Sequence, residues 1–272
     1  MRLTILALSL LIPLCAEARV DTLWIQSSQM DKKIGTTVIL PEDYDTVLKA
    51  KYPVIYILHG AGGDYGNWLR RVPQLEQYST HYGFIFVCPD GGKTSWYLDS
   101  PVDPKIRYES YIIEELVPQI DTKYRTSATV QKRAITGLSM GGHGALYLAL
   151  KNPQTFKIAG SMSGGVDLRP FEGNWDLPMR LGEIELHPQN WENNSVVVLA
   201  ERSKPKGYKL IIDCGTEDFF LEVNRNLDEI LNEHGYNYEY SERKGAHNWP
   251  YWRDSILRHL EFFKKEFSSP NQ

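Results

Sequence analysis

The segment from Ala134 to Leu146 reads A-I-T-G-L-S-M-G-G-H-G-A-L, and it decides the fold. It begins as a short apolar run, continues as G-x-S-x-G around Ser139 and ends in an Ala/Leu-rich stretch with helical spacing. Gly137 and Gly141 lack the Cβ atoms that would collide in a sharp turn from a strand into a helix. The pattern therefore predicts a nucleophile elbow that presents Ser139, although G-x-S-x-G alone would also fit an ordinary glycine-rich turn.

A nucleophilic serine needs a histidine base, because its hydroxyl is a weak nucleophile near neutral pH. His247 is the best candidate. It follows an alternating segment, Tyr238 to Arg243, and lies in a Gly-Ala-His loop just before a helical stretch. The other histidines adjoin glycine-rich turns or lie in polar or helical surroundings, where surface or packing roles are expected; they are His59, His81, His143, His187, His234 and His259.

The acid that orients the histidine is expected where the apolar run from Lys209 to Asp213 passes into a glycine turn. Parallel sheets present functional groups at the carboxyl ends of their strands. Asp218 is favoured because it lies beyond Gly215, where its side chain can reach a neighbouring loop, whereas Asp213 lies inside the apolar run. Glu217 stays open as the alternative acid. The chain order serine, acid, histidine is that of α/β-hydrolases.

A hydrolase of this kind also stabilises an oxyanion, usually with two backbone N–H groups. Met140, the residue after the serine, should supply one of them. The other should come from the loop after an early strand, and Pro53 to Gly63 reads P-V-I-Y-I-L-H-G-A-G-G. Ala61 is the first candidate in this loop and Gly60 the second. A glycine turn that contacts no substrate is the alternative.

Five motifs follow one another over most of the chain: H-G-A-G-G-D-Y-G-N-W at 59–68, P-D-G-G-K-T-S-W-Y-L-D-S-P at 89–101, G-L-S-M-G-G-H-G-A-L at 137–146, C-G-T-E-D at 214–218 and G-A-H-N-W at 245–249. Together they resemble the esterase D family of α/β-hydrolases. That group includes S-formylglutathione hydrolases, feruloyl and acetyl xylan esterases of carbohydrate esterase family 1, and mycolyltransferases.

The resemblance implies the catalytic residues that the motifs indicate, namely the nucleophile Ser139, the acid Asp218 and the base His247. It also implies that Trp96, Tyr97 and Asp99 lie beside the active-site cleft, although Asp99 could instead cap the following helix. Ala61 stands where several relatives carry a bulkier residue, which leaves the shape of the acyl pocket open.

The function expected from these motifs is that of an exported serine esterase that forms an acyl-enzyme, acting on carbohydrate-linked esters such as feruloyl or acetyl xylan. The alternatives are a mycolyl-type acyltransferase, a thioesterase similar to S-formylglutathione hydrolase, and an inactive carbohydrate-binding relative. Backbone amides stabilise an oxyanion without a Lewis acid, so no cofactor and no metal are expected. The partner is a small-molecule or polysaccharide ester, and the oligomeric state is open.

Composition agrees with a single enzyme domain over residues 19–272. The sequence has 272 residues, of which 42% are hydrophobic, and this is enough to cover both faces of a parallel sheet. The 30 basic and 34 acidic residues are interspersed and give a formal net charge of −4. No basic stripe is present that would bind phosphates, so no nucleic-acid partner is expected.

The amino terminus predicts export. An apolar core from Leu3 to Leu14 follows Met1-Arg2 and ends in an A-x-A site, which is typical of a secretory signal cleaved after Ala18. The run is too short to span a bilayer, so the mature protein is expected in the periplasm or the medium without a transmembrane segment. Lipoprotein anchoring at Cys15 is a weaker alternative, because Leu14 is bulky where such sites prefer a small residue.

Cys88 and Cys214 would remain after cleavage, each at the end of a predicted strand. They could pair in an oxidising compartment, but the sequence does not give the required Cα separation. Buried cysteines commonly act as small apolar residues, so unpaired thiols are favoured.

The order of predicted elements favours an α/β-hydrolase fold, with a mostly parallel sheet, an antiparallel amino-terminal edge and helices on both faces. Residues 166–205 interrupt the alternation and read as either a cap over the substrate cleft or a surface excursion. The predicted strands are 23–28, 33–40, 54–58, 84–88, 133–136, 158–161, 209–213 and 238–243, and the clearest predicted helices are 106–124, 142–151, 219–235 and 249–267.

Overall fold

An eight-stranded β-sheet forms the centre of the molecule. The structure, a computed structural model, describes residues 18–205 and 207–269. The strands are β1 (Arg19–Ser27), β2 (Lys32–Leu40), β3 (Val54–Leu58), β4 (Ile85–Pro89), β5 (Arg133–Leu138), β6 (Ile158–Met162), β7 (Lys209–Gly215) and β8 (Tyr238–Arg243).

The strand order is β1-β2-β4-β3-β5-β6-β7-β8. β2 runs antiparallel to both β1 and β4, and all the other neighbouring pairs are parallel. The prediction of a mostly parallel sheet with an antiparallel amino-terminal edge is confirmed. β1 begins four residues earlier than predicted, because its polar start pairs with β2 position by position, from Arg19 opposite Leu40 onward.

Helices cover both faces of the sheet, as predicted. Alternate residues of β3 show the two sides: Val54, Tyr56 and Leu58 belong to one apolar core, and Ile55 and Ile57 to the other. The helices are α1 (Asn67–Arg71), α2 (Leu75–Tyr82), α3 (Tyr108–Ser110), α4 (Val117–Lys123), α5 (Met140–Lys151), α6 (Leu177–Leu181), α7 (Pro188–Asn194), α8 (Val196–Arg202), α9 (Leu221–Glu233) and α10 (Trp249–Ser268).

The single long helix predicted for residues 106–124 is wrong in detail. The chain forms α3, then a π-helical segment, Tyr111–Leu116, and then α4. Pro118 lies in the first turn of α4. Proline has no N–H to donate to the carbonyl four residues earlier, so the hydrogen-bond register shifts ahead of it.

The topology places a crevice above the carboxyl ends of β3 and β5. These strands are neighbours, but the chain leaves β3 for β4 on one side and β5 for β6 on the other. Loops diverge at such a switch point and leave room for a ligand. The loop after β3 and the turn after β5 are the two segments in which the sequence predicted the oxyanion amides and the nucleophile.

Residues 166–205 join β6 to β7 through a short 3₁₀ helix, Arg169–Phe171, and helices α6 to α8. The predicted secretory signal, including Cys15, lies outside the described residues except for Ala18. Within the described ranges, no helix combines the length and the apolar character needed to span a membrane. Cys88 and Cys214 are both buried free thiols, as favoured from the sequence.

Candidate active site

Ser139 lies at the tip of a sharp turn between β5 and α5. Its φ of 55° and ψ of −120° are unusual for a residue with a side chain and indicate a strained turn. The backbone crowds around it: a Cβ on Gly141 would lie 2.5 Å from the Leu58 carbonyl oxygen, and one on Gly137 would lie 2.5 Å from the Gly141 carbonyl carbon. Only glycines fit at these two positions, which explains the G-x-S-x-G spacing.

A chain of hydrogen bonds joins the serine, the histidine and the acid. Ser139 Oγ lies 2.8 Å from His247 Nε2, and His247 Nδ1 lies 2.9 Å from Asp218 Oδ2. Because a carboxylate only accepts, Nδ1 carries the imidazole proton, and Nε2 is left to accept from the Ser139 hydroxyl. The Asp218 side chain is completely buried and that of His247 is 15% exposed. The structure thus brings the three predicted residues together.

Backbone hydrogen bonds between two loops place the acid beside the histidine. Thr216 N donates to Arg243 O over 2.9 Å, and Glu217 N donates to Gly245 O over 2.8 Å. The Asp218 carboxylate is held by the Phe220 N–H at 2.9 Å. The alternative acid, Glu217, has an exposed side chain, and its carboxylate makes no contact with the histidine.

The loop after β3 approaches the serine closely. A Cβ on Gly60 would lie 3.3 Å from Ser139 Cβ. Gly62 N and Gly63 N are engaged, with Lys93 O and Gly60 O, whereas Ala61 N makes no hydrogen bond within the described chain. Met140 is the first residue of α5, and the N–H at that position has no partner within a helix. Ala61 and Met140 thus have backbone donors available beside the serine.

His59 is a supporting residue that sequence reasoning left without a role. Its Nε2 accepts from Gly91 N at 2.8 Å, so Nδ1 carries the proton and donates to Gly60 O at 2.8 Å. The ring is fully buried. It therefore ties the loop after β3 to the loop after β4 and fixes the backbone just before Ala61. The His-Gly pair at the start of the glycine motif is the sequence feature from which this supporting role could have been proposed.

Trp96, Tyr97 and Asp99 do not line the cavity at Ser139. Trp96 and Tyr97 are buried, and the Tyr97 hydroxyl donates to His59 O at 3.0 Å. Burial raises the pKa of that hydroxyl well above its ordinary value, so it stays protonated as a donor. Asp99 pairs with Arg107 at 2.9 Å and accepts hydrogen bonds from the N–H and the hydroxyl of Ser110, in α3. These contacts agree with the alternative that Asp99 caps the following helix.

The cavity above Ser139 has a volume of about 330 Å³. Besides Ser139 and His247, it is lined by Gly60, Ala61, Gly62, Gly63, Asn67, Arg71, Leu138, Trp175, Phe219, Trp249 and Trp252. Asn67 and Trp249 lie inside quoted motifs and could have been proposed as lining residues. Phe219 carried no such signal. Trp175 comes from residues 166–205, the irregular region read from the sequence as either a cap over the cleft or a surface excursion.

Aromatic rings enclose the imidazole on several sides. The His247 ring centroid lies 4.3 Å from that of Phe219 and 4.9 Å from that of Trp252, which meets it edge-on. Trp175 stacks on Phe219 at 5.9 Å. These contacts hold the ring orientation, and they leave flat apolar surface facing the cavity.

No group of three or more His, Cys, Asp or Glu side chains in residues 18–205 and 207–269 is arranged to hold a metal ion. Of the three acids in and just after β7, Asp213 binds His259 at 2.9 Å, whereas Asp218 binds His247. The expectation that no metal is required stays a prediction.

Comparison with known proteins gives the family. Residues 27–263 match the family model described as "Putative esterase". An acetyl esterase of Caldicellulosiruptor saccharolyticus is 26% identical over 260 residues, covering 88% of this chain and 96% of the relative. The esterase Rv1288 of Mycobacterium tuberculosis is 37% identical over 147 residues, which cover 53% of this chain; the chain spans about a third of that longer relative, 32% of its length.

A solved structure of a ferulic acid esterase has the same architecture, with a TM-score of 0.81, 27% sequence identity and coverage of 93% of this chain and 99% of that one. The α/β-hydrolase fold and the resemblance to the esterase D group are thereby confirmed. Because the matched region extends over nearly the whole described sheet and both loops that hold the site, the chain belongs to this esterase family.

Proposed function

We propose that this protein is a serine esterase that cleaves carboxylic esters through an acyl-enzyme on Ser139. One observation carries the proposal: the hydrogen bonds from Ser139 Oγ to His247 Nε2, 2.8 Å, and from His247 Nδ1 to Asp218 Oδ2, 2.9 Å, are made on an elbow that opens into a cavity. A serine so placed has both a base to remove its proton and space for an ester.

In acylation, Ser139 Oγ attacks the ester carbonyl carbon while its proton passes to His247 Nε2. The carbonyl oxygen becomes an oxyanion, which the N–H groups of Ala61 and Met140 stabilise. When the tetrahedral intermediate collapses, its bond to the alcohol oxygen breaks, and the imidazolium gives its proton to that oxygen. The alcohol leaves, and the acyl group stays on Ser139.

Deacylation repeats these steps with water. His247 takes a proton from the water, whose oxygen attacks the acyl carbon, and then returns the proton to Ser139 Oγ as the acid departs. Asp218 holds the imidazole in the Nδ1–H tautomer and stabilises its positive charge. Complete burial of that carboxylate strengthens its interaction with the ring, because little solvent screens it.

We infer that the substrates are carbohydrate-linked esters, such as acetyl or feruloyl groups on xylan. Two features support this: flat aromatic faces of Trp175, Phe219 and Trp249 line the cavity, and such faces stack well on sugar or phenolic rings. Relatives named acetyl esterase and ferulic acid esterase point the same way. Methyl ferulate, acetylated xylan and short p-nitrophenyl esters, each incubated with purified protein, test the proposal.

The same assay separates the alternatives. A mycolyl-type acyltransferase would yield acylated sugar in place of free acid when a sugar acceptor is added. A thioesterase would prefer S-formylglutathione to every oxygen ester. An inactive carbohydrate-binding relative would hydrolyse nothing, and that result would overturn the proposed function.

We further propose that residues 1–18 are a secretory signal and that residues 19–272 form one exported esterase domain. The short apolar core and the A-x-A site support this. Expression of the full chain in a bacterial host, followed by amino-terminal sequencing of the periplasmic product, should give Arg19 as the first residue. A product that starts at Cys15 and carries lipid would favour the lipoprotein alternative.

A further inference from the structure

The lining of the cavity contains one permanent charge within the described chain. Arg71 contributes to the wall, and no Asp or Glu side chain does. A neutral His247 adds no charge. The formal net charge of the whole chain is −4, so this cationic wall contrasts with the rest of the protein.

Arg71 differs from its sequence neighbour. Arg70 is neutralised by Asp64, with Nη2 at 2.8 Å from each carboxylate oxygen. Arg71 makes no ion pair within residues 18–205 and 207–269, and the same is true of Arg253, whose Nε donates to the Arg71 carbonyl at 2.9 Å. Arg253 thus lies beside the Arg71 backbone, but of these two residues only Arg71 lines the cavity.

The Arg71 side chain is held in place without a carboxylate. Its Cζ lies 5.7 Å from the centroid of the Trp249 ring, within the range of a cation–π contact. A stacked guanidinium keeps its N–H groups free at the edge of the plane, where they can form two parallel hydrogen bonds with a carboxylate.

The position of Arg71 relative to His247 indicates which part of an ester it would contact. Arg71 stacks on Trp249, Trp249 packs against Trp252 at 5.5 Å, and Trp252 packs against His247 at 4.9 Å. Because the imidazole must give its proton to the leaving alcohol oxygen, the alcohol part of the substrate lies on this side of the site.

We propose that the site selects esters whose alcohol part carries a carboxylate, and that Arg71 binds this carboxylate. The proposal rests on the proposed esterase function and adds a substrate class to it. It assigns Arg71 a role in binding and none in the chemical steps.

The test compares two acetyl esters with similar leaving groups, 4-acetoxybenzoate, which is anionic, and 4-acetoxybenzamide, which is neutral. The ratio of their kcat/KM values is measured for the wild type, Arg71→Gln and the matched control Arg70→Gln. Loss of a hydrogen-bonded charge pair should lower the ratio about tenfold in Arg71→Gln, mainly through the KM of the benzoate. Arg70→Gln should keep the wild-type ratio.

Two further measurements need no folded variant at Arg71. Added NaCl should lower the wild-type ratio by screening, and 4-hydroxybenzoate should inhibit the wild type more strongly than 4-hydroxybenzamide. Equal ratios in wild type and Arg71→Gln, or equal inhibition by the two phenols, would overturn the inference while the esterase function stands. If the wild type hydrolyses neither ester, the proposed function fails, and the inference fails with it.

Discussion

Two Asp–His pairs with almost the same hydrogen-bond distances occur in this molecule, one at the cavity and one inside the core. His247 lies 2.9 Å from Asp218 and 2.8 Å from the hydroxyl of Ser139. His259 likewise lies 2.9 Å from Asp213 and 2.8 Å from the hydroxyl of Thr136. A hydroxyl, an imidazole and a carboxylate are therefore linked by hydrogen bonds in both places, although His247 faces its acid with Nδ1 and His259 with Nε2.

The surroundings of the two pairs differ. Asp213 also accepts from Ser255 at 2.7 Å and from Arg243 at 3.2 Å. Burial by itself raises the pKa of Asp213, but the hydrogen bonds and the positive charge around it outweigh burial and leave the pKa below its ordinary value. His259 and Asp213 are 0% and 1% exposed, so neither substrate nor water reaches them.

The contrast shows that the geometry of a triad does not by itself make a catalytic site. Thr136 lies within the regular strand β5, whereas Ser139 lies three residues later on a strained turn beside free backbone donors. The inner group joins β5, β7 and α10, and we expect it to stabilise the fold. The outer group is expected to react. Five predictions test this division.

The largest difference is expected at the two serines that follow neighbouring strands. Ser139→Ala should lower kcat by about 10⁴ to 10⁶ without loss of folding, because the nucleophile is removed. Ser163→Ala is the matched control, since Ser163 follows β6 with a φ of 48° but is fully buried. It should keep most of the activity. If the Ser139→Ala variant kept a tenth of the wild-type kcat, Ser139 would be excluded as the nucleophile.

The second difference is expected between adjacent acids. Asp218→Asn should lower kcat by about 10⁴, because the amide favours the wrong imidazole tautomer. Glu217→Gln should cost little, since the Glu217 side chain is exposed and does not touch His247. Steady-state kinetics on one p-nitrophenyl ester would decide. Reversed effects would assign the orienting role to Glu217.

The inner acid should instead affect stability. Asp213→Ala leaves the buried His259 and Ser255 without the carboxylate that they bind, although Arg243 keeps Asp254 as a second partner. Removing one side of a buried ion pair typically costs about 3–5 kcal/mol. Urea unfolding should show this loss in the free energy of unfolding, while kcat per folded molecule stays within a few-fold of wild type. A loss of kcat as large as that of Asp218→Asn, at unchanged stability, would contradict the division.

Another buried histidine, His143, extends the comparison, because it has no carboxylate partner among the residues that the structure describes. His143 faces the carbonyl oxygens of Asn194 at 2.8 Å and Trp96 at 3.2 Å, and burial lowers its pKa from 6.5 to about 4. The unfolded chain therefore binds the proton first as pH falls. The stability that a neutral His143 allows is complete above about pH 6.5 and is lost progressively toward pH 4.

His143→Gln should therefore flatten the acid side of the stability profile. A pKa shift of this size corresponds to about 2 to 3 kcal/mol between pH 7.5 and 4.5. The measurement is the free energy of unfolding in urea at both pH values, for wild type and variant. The same pH slope in both proteins would show that His143 does not carry this effect.

The smallest effect is expected at the inner hydroxyl. Thr136→Val keeps the shape of the side chain and removes one hydrogen bond to His259, which should cost about 1 kcal/mol in stability. Activity should not change measurably, in contrast to Ser139→Ala. A catalytic defect in Thr136→Val would mean that the two groups are coupled across the two residues that separate Thr136 from Ser139.

The same two groups show what sequence alone can predict. The elbow around Ser139 depends on residues within a few positions of one another, so its glycine spacing could be recognised in the sequence. The mostly parallel sheet with an antiparallel amino-terminal edge followed from the alternation of elements. Asp213 and His259 are 46 positions apart and belong to no motif. Their pairing depends on how α10 packs against β7, and no local sequence pattern indicates that packing.

The contact between two aromatic residues of the cavity wall was missed for the same reason. Trp175 and Phe219 come from separate segments and meet only after folding, at a centroid distance of 5.9 Å. Trp96 and Tyr97 occur in a motif that the resemblance connected with the cleft, but their side chains are buried behind it. A motif thus indicates which segments surround a site, whereas the direction of each side chain depends on tertiary packing.

Covalent labelling with a fluorophosphonate tests the central claim most directly, because such probes react with a serine only where a base activates it and the site is open. Intact-mass measurement and peptide mapping should show one adduct per chain, on Ser139, and none on Thr136 or Ser163. The adduct should be absent from Ser139→Ala and retained by Thr136→Val. An adduct that persists in Ser139→Ala, or a wild-type protein that takes up no label, would contradict the account.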